Sequence, residues 1–191
     1  MHRKSLLSLV ASLLVTCLLA SDGRPQSESE RSLYVLEDRV GRQWCAYREE
    51  SVWRKDVQAL SALVVATVNY ANGNVSAVWV TEEGESGDWI VYDHYFVADS
   101  GAICRLERTS NVLPGDRSEK EVFLIQGGRA TKQSMASVRL STGEPIPPSD
   151  DLVPTVPVVT NVTDFPFSSL IDKKGVEAWS MDKTCVKAGQ S

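Results

Sequence analysis

Three places in this chain ask for a backbone that reverses direction within two or three residues, and they constrain its fold more than any other feature. Asn72-Gly73 separates two β-rich runs, Leu63 to Tyr70 and Val75 to Thr81. Asn-Gly accepts the two positive φ angles of a type I′ turn, whose twist matches that of antiparallel strands. Asp99-Ser100-Gly101 follows the long run Trp89 to Val97 and offers glycine at the left-handed position of a three-residue loop, after which Ala102 to Thr109 returns. Gly127-Gly128 sits between Val122–Gln126 and Arg129–Arg139. Six strands joined by tight turns, with no amphipathic helix between them, predict an all-β fold: mainly an antiparallel meander, arranged as a sandwich or a partly closed barrel, with at most a short helix.

A two-residue loop at Asn72-Gly73 pairs Tyr70 with Val75, Val68 with Ala77 and Ala66 with Trp79, making one sheet face apolar throughout. The other face pairs Thr67 with Val78 and Val65 with Val80. A sheet semi-apolar on both faces has to pack against another layer or close on itself. Aromatic residues at alternating strand positions are accordingly expected in the core. Leu33–Leu36 and Gln43–Tyr47 are short apolar patches, and Trp53, Val57 and Leu60 recur at helical spacing across Ser51 to Leu60. Glu83 to Gly87 reads as a turn, and Asn111 to Lys120, with Pro114-Gly115-Asp116 inside it, as a longer polar connection.

The composition shifts after this β domain, residues 33–142. Pro145, Pro147, Pro148, Pro154 and Pro157 restrict residues 143–157 to an extended linker without regular structure. Residues 158–191 form an irregular C-terminal arm. Its Phe165, Phe167, Leu170, Ile171, Val176 and Trp179 are too apolar to leave in water, so the arm is expected to fold back on the sheet.

At the other end, Arg3-Lys4 precedes an apolar run from Leu6 to Leu19 and a small-residue exit at Ala20-Ser21. This is the pattern of a secretory signal peptide over residues 1–21, cleaved near Ala20 to Gly23 and followed by a polar leader over residues 22–32. The address implied is secreted or periplasmic, with no integral membrane segment in the mature chain. Two alternatives keep a membrane anchor: an uncleaved N-terminal segment, for which the run is short, and lipidation of Cys17, for which Thr16 is a poor preceding residue. The chain carries a net charge of −5, and loss of Arg3 and Lys4 with the leader takes the mature chain to −7. That charge, without a Lys/Arg stripe, argues against nucleic-acid binding.

An exported chain can keep a disulfide. Cys45, Cys104 and Cys185 remain after cleavage, and Cys45–Cys185 is the expected pair because it pins a tail near each end. Cys104 then reads as a leftover thiol buried in a strand. With His2 and His94 the only histidines and no Cys-x-x-Cys spacing, neither a zinc site nor any other metal or cofactor is expected. Asn74-Val75-Ser76 and Asn161-Val162-Thr163 are glycosylation sequons whose use depends on the host.

Nucleophile and phosphate-binding motifs are absent from the chain. His94 lies in a strand, and Asp93 beside it points to the opposite face, so it reads as a half-buried strand residue and not as an oriented general base. The acidic loop residues Glu82, Glu83, Glu85 and Asp88 read as a solubilising cluster, or at best a weak calcium ligand set. The expectation is therefore an exported, non-enzymatic β-domain that binds a protein, a glycan or an envelope component, with no catalytic, cofactor or metal residues assigned. The alternative is a small hydrolase without a familiar motif. An exposed cleft joining His94 to a cross-strand carboxylate would favour the enzyme; an open aromatic or edge-strand surface would favour the binder.

Overall fold

The structure is a computed structural model of the 191-residue chain and describes residues 31–148, 156–171 and 182–188. The proposed signal peptide, Val176 and Trp179 lie outside them. Ten strands form one antiparallel sheet in the order β10-β2-β1-β3-β4-β5-β6-β7-β8-β9. They are β1 (Arg31–Asp38), β2 (Gln43–Tyr47), β3 (Val64–Ala71), β4 (Asn74–Glu83), β5 (Trp89–Val97), β6 (Ile103–Val112), β7 (Arg117–Gln126), β8 (Arg129–Arg139), β9 (Pro145–Ile146) and β10 (Lys183–Lys187). Helix α1 (Glu50–Leu60) joins β2 to β3. Among the described residues no pairing links β10 to β9, so the all-β fold is a single open sheet and not a closed barrel.

All three turn signals sit at strand reversals. Asn72 and Gly73 take φ of 52° and 75°, Gly101 takes 82°, and Gly127 and Gly128 take 56° and 74°. The register beyond the first hairpin differs from the sequence expectation. Tyr70 pairs with Val75, but Asn69 then pairs with Ala77, Val68 with Val78 and Thr67 with Trp79. Ser76 is an extra residue in β4, a bulge whose hydroxyl donates to the Asn69 carbonyl at 3.2 Å. Because side chains alternate with period two, one inserted residue exchanges the two faces for the rest of the strand. Similar shifts lie between Phe96 and Val97 and between Val122 and Phe123.

Four further expectations change. The polar stretch from Asn111 to Lys120 is mostly strand, reversed tightly at Leu113–Asp116, because inward-facing Ser110 and Glu119 find a buried place in β6 and β7. Strand β1 begins at Arg31, within the expected leader, as Arg31 and Ser32 pair with Tyr70 and Asn69. Pro145–Ile146 is not free of regular structure: it pairs with Val138 and Ser137 as a two-residue edge strand, where a missing N–H is tolerated. Lys183–Lys187 is likewise a strand, pairing with β2.

The sheet's inner face carries the main core. Leu33, Val35, Ala66, Val68, Tyr70, Val78, Tyr95 and Leu106 point to it and meet Phe165, Phe167, Leu170 and Ile171 of the arm. Phe167 packs on Trp44 with ring centroids 5.2 Å apart, and Phe165 meets Tyr95 edge-on at 5.1 Å. The Tyr70 hydroxyl donates to the Ile171 carbonyl at 3.0 Å. On the outer face α1 covers only the β1–β2 end, where Val52, Trp53, Val57 and Leu60 pack on Leu36, Cys45 and Tyr47.

Cys45 and Cys185 are directly paired across β2 and β10 and form a disulfide. Lys183 supports the same junction, donating to Asp56 of α1 at 2.8 Å, with the Tyr47 hydroxyl on the same carboxylate oxygen. Substituting both cysteines by serine should cost about 2–4 kcal/mol in chemical denaturation, mainly by freeing the unfolded chain. An unchanged midpoint would mean that the strand pairing and the Lys183–Asp56 contact hold this end alone. Cys104 corrects the expectation of a free buried thiol. It is half-buried at the Phe96/Val97 bulge, with Sγ 3.5 Å from the Phe96 carbonyl oxygen, and it is disulfide-bonded, not free.

Candidate functional site

Past the helix, the outer face from β4 to β7 has no described element packed over it. The β4 bulge sets what it displays. Without the extra residue Trp79 would share the inner face with Val75; with it, Trp79 points outward beside Thr67 and His94. Trp79 is 48% exposed and Tyr92, two strand positions from His94, is 41% exposed. These two residues correct the expectation that the strand aromatics are core.

The rings join across β4 and β5 and then along β5. Trp79 and His94 stack with centroids 3.5 Å apart and planes 13° from parallel, and Phe96 follows at 3.9 Å from His94. The Arg105 guanidinium lies 5.3 Å from the Phe96 centroid and pairs with Glu107 on the same strand. Trp79 thus stacks on His94 from the neighbouring strand, while Phe96, two residues along β5 from His94, is tilted 40° to it. Val122 and Leu124 continue the face on β7, half-buried.

His94 is held neutral. Burial between two rings is the main cause, the Arg105 charge adds to it, and together they lower its pKa to about 4. Its cross-strand neighbour is Glu107, on the same face, so the carboxylate named in the enzyme alternative is present. That carboxylate pairs with Arg105, and His94 is packed against the rings of Trp79 and Phe96. Among the described residues no hydrogen bond orients the His94 ring; its partners are the two rings it packs against. Because the folded pKa lies below the usual value near 6.5, the unfolded chain takes up the proton first. Stability should therefore fall as the pH drops from about 6.5 to 4. His94→Gln should flatten that part of the profile in urea titrations, and an unaltered slope would show that His94 is more solvated than its stacking implies.

The inner face holds a polar network that the sequence reading did not anticipate. Arg108, 6% exposed, donates from Nε and Nη2 to the two oxygens of Asp93, 4% exposed, each at 2.7 Å. The Tyr95 hydroxyl donates to the same carboxylate at 3.0 Å, and Arg108 Nη1 donates to the Val156 carbonyl at 2.6 Å. Alternating Asp93-x-Tyr95 in β5 opposite Arg108 in β6 was the only available signal. Glu119 is also buried, accepting from Ser137 and Arg117, each at 3.0 Å.

The remaining candidates are dispersed. Asn74 borders a shallow groove of about 280 Å³ between the β3–β4 and β5–β6 turns, lined also by Tyr70, Asp99, Val162 and Ile171. Asn161 is exposed, and its side-chain oxygen accepts from the Thr163 backbone and hydroxyl. In the acidic loop Glu85 pairs with Arg39, and Ser86 donates to Asp88. Among the described residues no group of three or more His, Cys, Asp or Glu side chains is placed to hold a metal ion, and no helix is long and apolar enough to cross a membrane. No family model matches the chain, and neither a curated protein nor a solved structure matches it.

Proposed function

We propose that this is an exported, non-enzymatic β-domain that works by binding, and that the outer face of β4 to β7 is its binding surface. The observation that supports this reading is the exposed pair Trp79 and Tyr92 beside the half-buried His94 and Phe96, on a broad part of the sheet that neither α1 nor the described part of the arm covers. Large apolar rings left in water on one contiguous face mark interaction sites more often than scattered exposed residues do. Among a protein, a glycan and an envelope component, the stack favours a protein, because one face of the Trp79 ring is already taken by His94 and closed to a flat-lying sugar.

Export is supported by the leader pattern at residues 2–21 and by the Cys45–Cys185 disulfide, a bond that persists in oxidising compartments. Sequencing the N-terminus of the protein recovered outside the cytosol distinguishes cleavage near Ala20 to Gly23 from retention of the segment that carries Cys17. For binding, a photo-crosslinking residue replaces Thr81 on the outer face, with Lys55 on α1 as the control position. Crosslinks at 81 and not at 55, lost with Trp79→Ser, are expected. No adduct at position 81 in the native compartment would overturn the assignment of this face.

A further inference from the structure

We infer that the occupant of the outer face is a second copy of the same chain, which rests on the reading of that face as the binding surface. Charge separates this occupant from the others. On a chain of net charge −5, the outward side chains of β4 to β7 include only Glu83, Glu107, Arg105 and Lys120 as charged groups, so this face is neutral. A neutral face offers no field to draw a partner of either sign. It does suit its own copy, because in a twofold interface each group meets the partner's matching patch. Arg105 and Glu107 lie two residues apart on one strand and already form a pair there. Rotation about a twofold axis between them sets each against its opposite on the other copy.

The shape agrees with the charge. Two sheets packing face to face lie about 10 Å apart, with side chains from each interdigitating. Trp79 and Tyr92, exposed beside the half-buried His94 and Phe96, give this face the apolar relief into which side chains of the other copy can pack. Four strands and the adjoining β3 and β8 span about 24 Å at the usual strand spacing, and six or seven residues along each strand add about 20 Å. That is a plan area of roughly 500 Å², and the relief of the side chains raises it toward the ~800 Å² per partner of a stable specific interface.

Sedimentation equilibrium of the exported chain should show a dimer at micromolar concentrations. Arg105→Glu and Glu107→Arg should each weaken self-association by about tenfold or more. Mixing the two singly substituted proteins should restore a heterodimer, since each then meets the opposite charge across the axis. An effect confined within one chain cannot be rescued by mixing. Unfolding midpoints of both variants are measured alongside; if either is unfolded, Trp79→Ser replaces it as the disrupting change. A wild-type monomer at 100 µM, or single variants that dimerise as tightly as wild type, would overturn the proposal. A monomer whose position 81 still crosslinks to a different protein overturns the second copy and leaves the binding face standing. A monomer without crosslinks removes both.

Discussion

Truncation after Asp151 is expected to abolish a soluble, cooperatively folded protein. The cut removes Phe165, Phe167, Leu170 and Ile171, all at most 3% exposed, and bares the inner face they cover. Burying one such side chain is worth roughly 1.5–3 kcal/mol, so four together rival the whole stability of an ordinary domain. The cut also removes Cys185 and with it the β10 pairing on β2. Circular dichroism and size-exclusion chromatography of the shortened protein should show aggregate or loss of the unfolding transition. A monomer as stable as the full chain would mean that the arm is a tether. Phe167→Ala in the full chain is the milder form of the same test and should cost about 3–5 kcal/mol.

Replacing Arg108 by alanine is expected to cost about 3–5 kcal/mol, because it strands the Asp93 carboxylate in a buried site. The same change frees the Val156 and Pro157 carbonyls that Arg108 holds at 2.6 and 3.4 Å, loosening the entry of the arm onto the sheet. Tyr95 would follow, since its hydroxyl donates to Asp93 and takes the Val159 N–H at 3.5 Å. Burial and the Asp93 charge both hold the Tyr95 phenol well above its usual pKa, so it stays a donor. Removing both ionic partners, as Asp93→Leu with Arg108→Met, should recover much of the loss, as buried pairs replaced by apolar groups of similar size often do. Equal losses in the single and double variants by urea unfolding would show that the arm contacts, and not the stranded charge, dominate.

The local turn chemistry was enough to place the hairpins. Asn72-Gly73, Gly101 and Gly127-Gly128 demand left-handed backbone wherever they sit, a requirement that tertiary context seldom alters. Alternation of apolar residues gave the strands, and the apolar content of Phe165 to Ile171 required a cover for those side chains. Of the three pairings open to Cys45, Cys104 and Cys185, the expected Cys45–Cys185 bond is present, although the accompanying reading of Cys104 as a free thiol is not borne out.

Which residues share a face was decided by the folded sheet. One extra residue at Ser76 moves Trp79 from the core to the surface, and the residue that bulges is selected by the carbonyl its hydroxyl can satisfy, Asn69 on another strand. Cys104 shifts for the same reason at a second bulge. A period-two pattern carries no mark of where its phase slips, because the slip is set by cross-strand hydrogen bonds. Glu119 was read as part of a polar connection, and the Asp93–Arg108 pair went unmarked within its strands, for a related reason. Asp93, Arg108 and Glu119 are stable inside only once β5 to β8 bring their partners within reach, and that proximity exists nowhere in the linear chain.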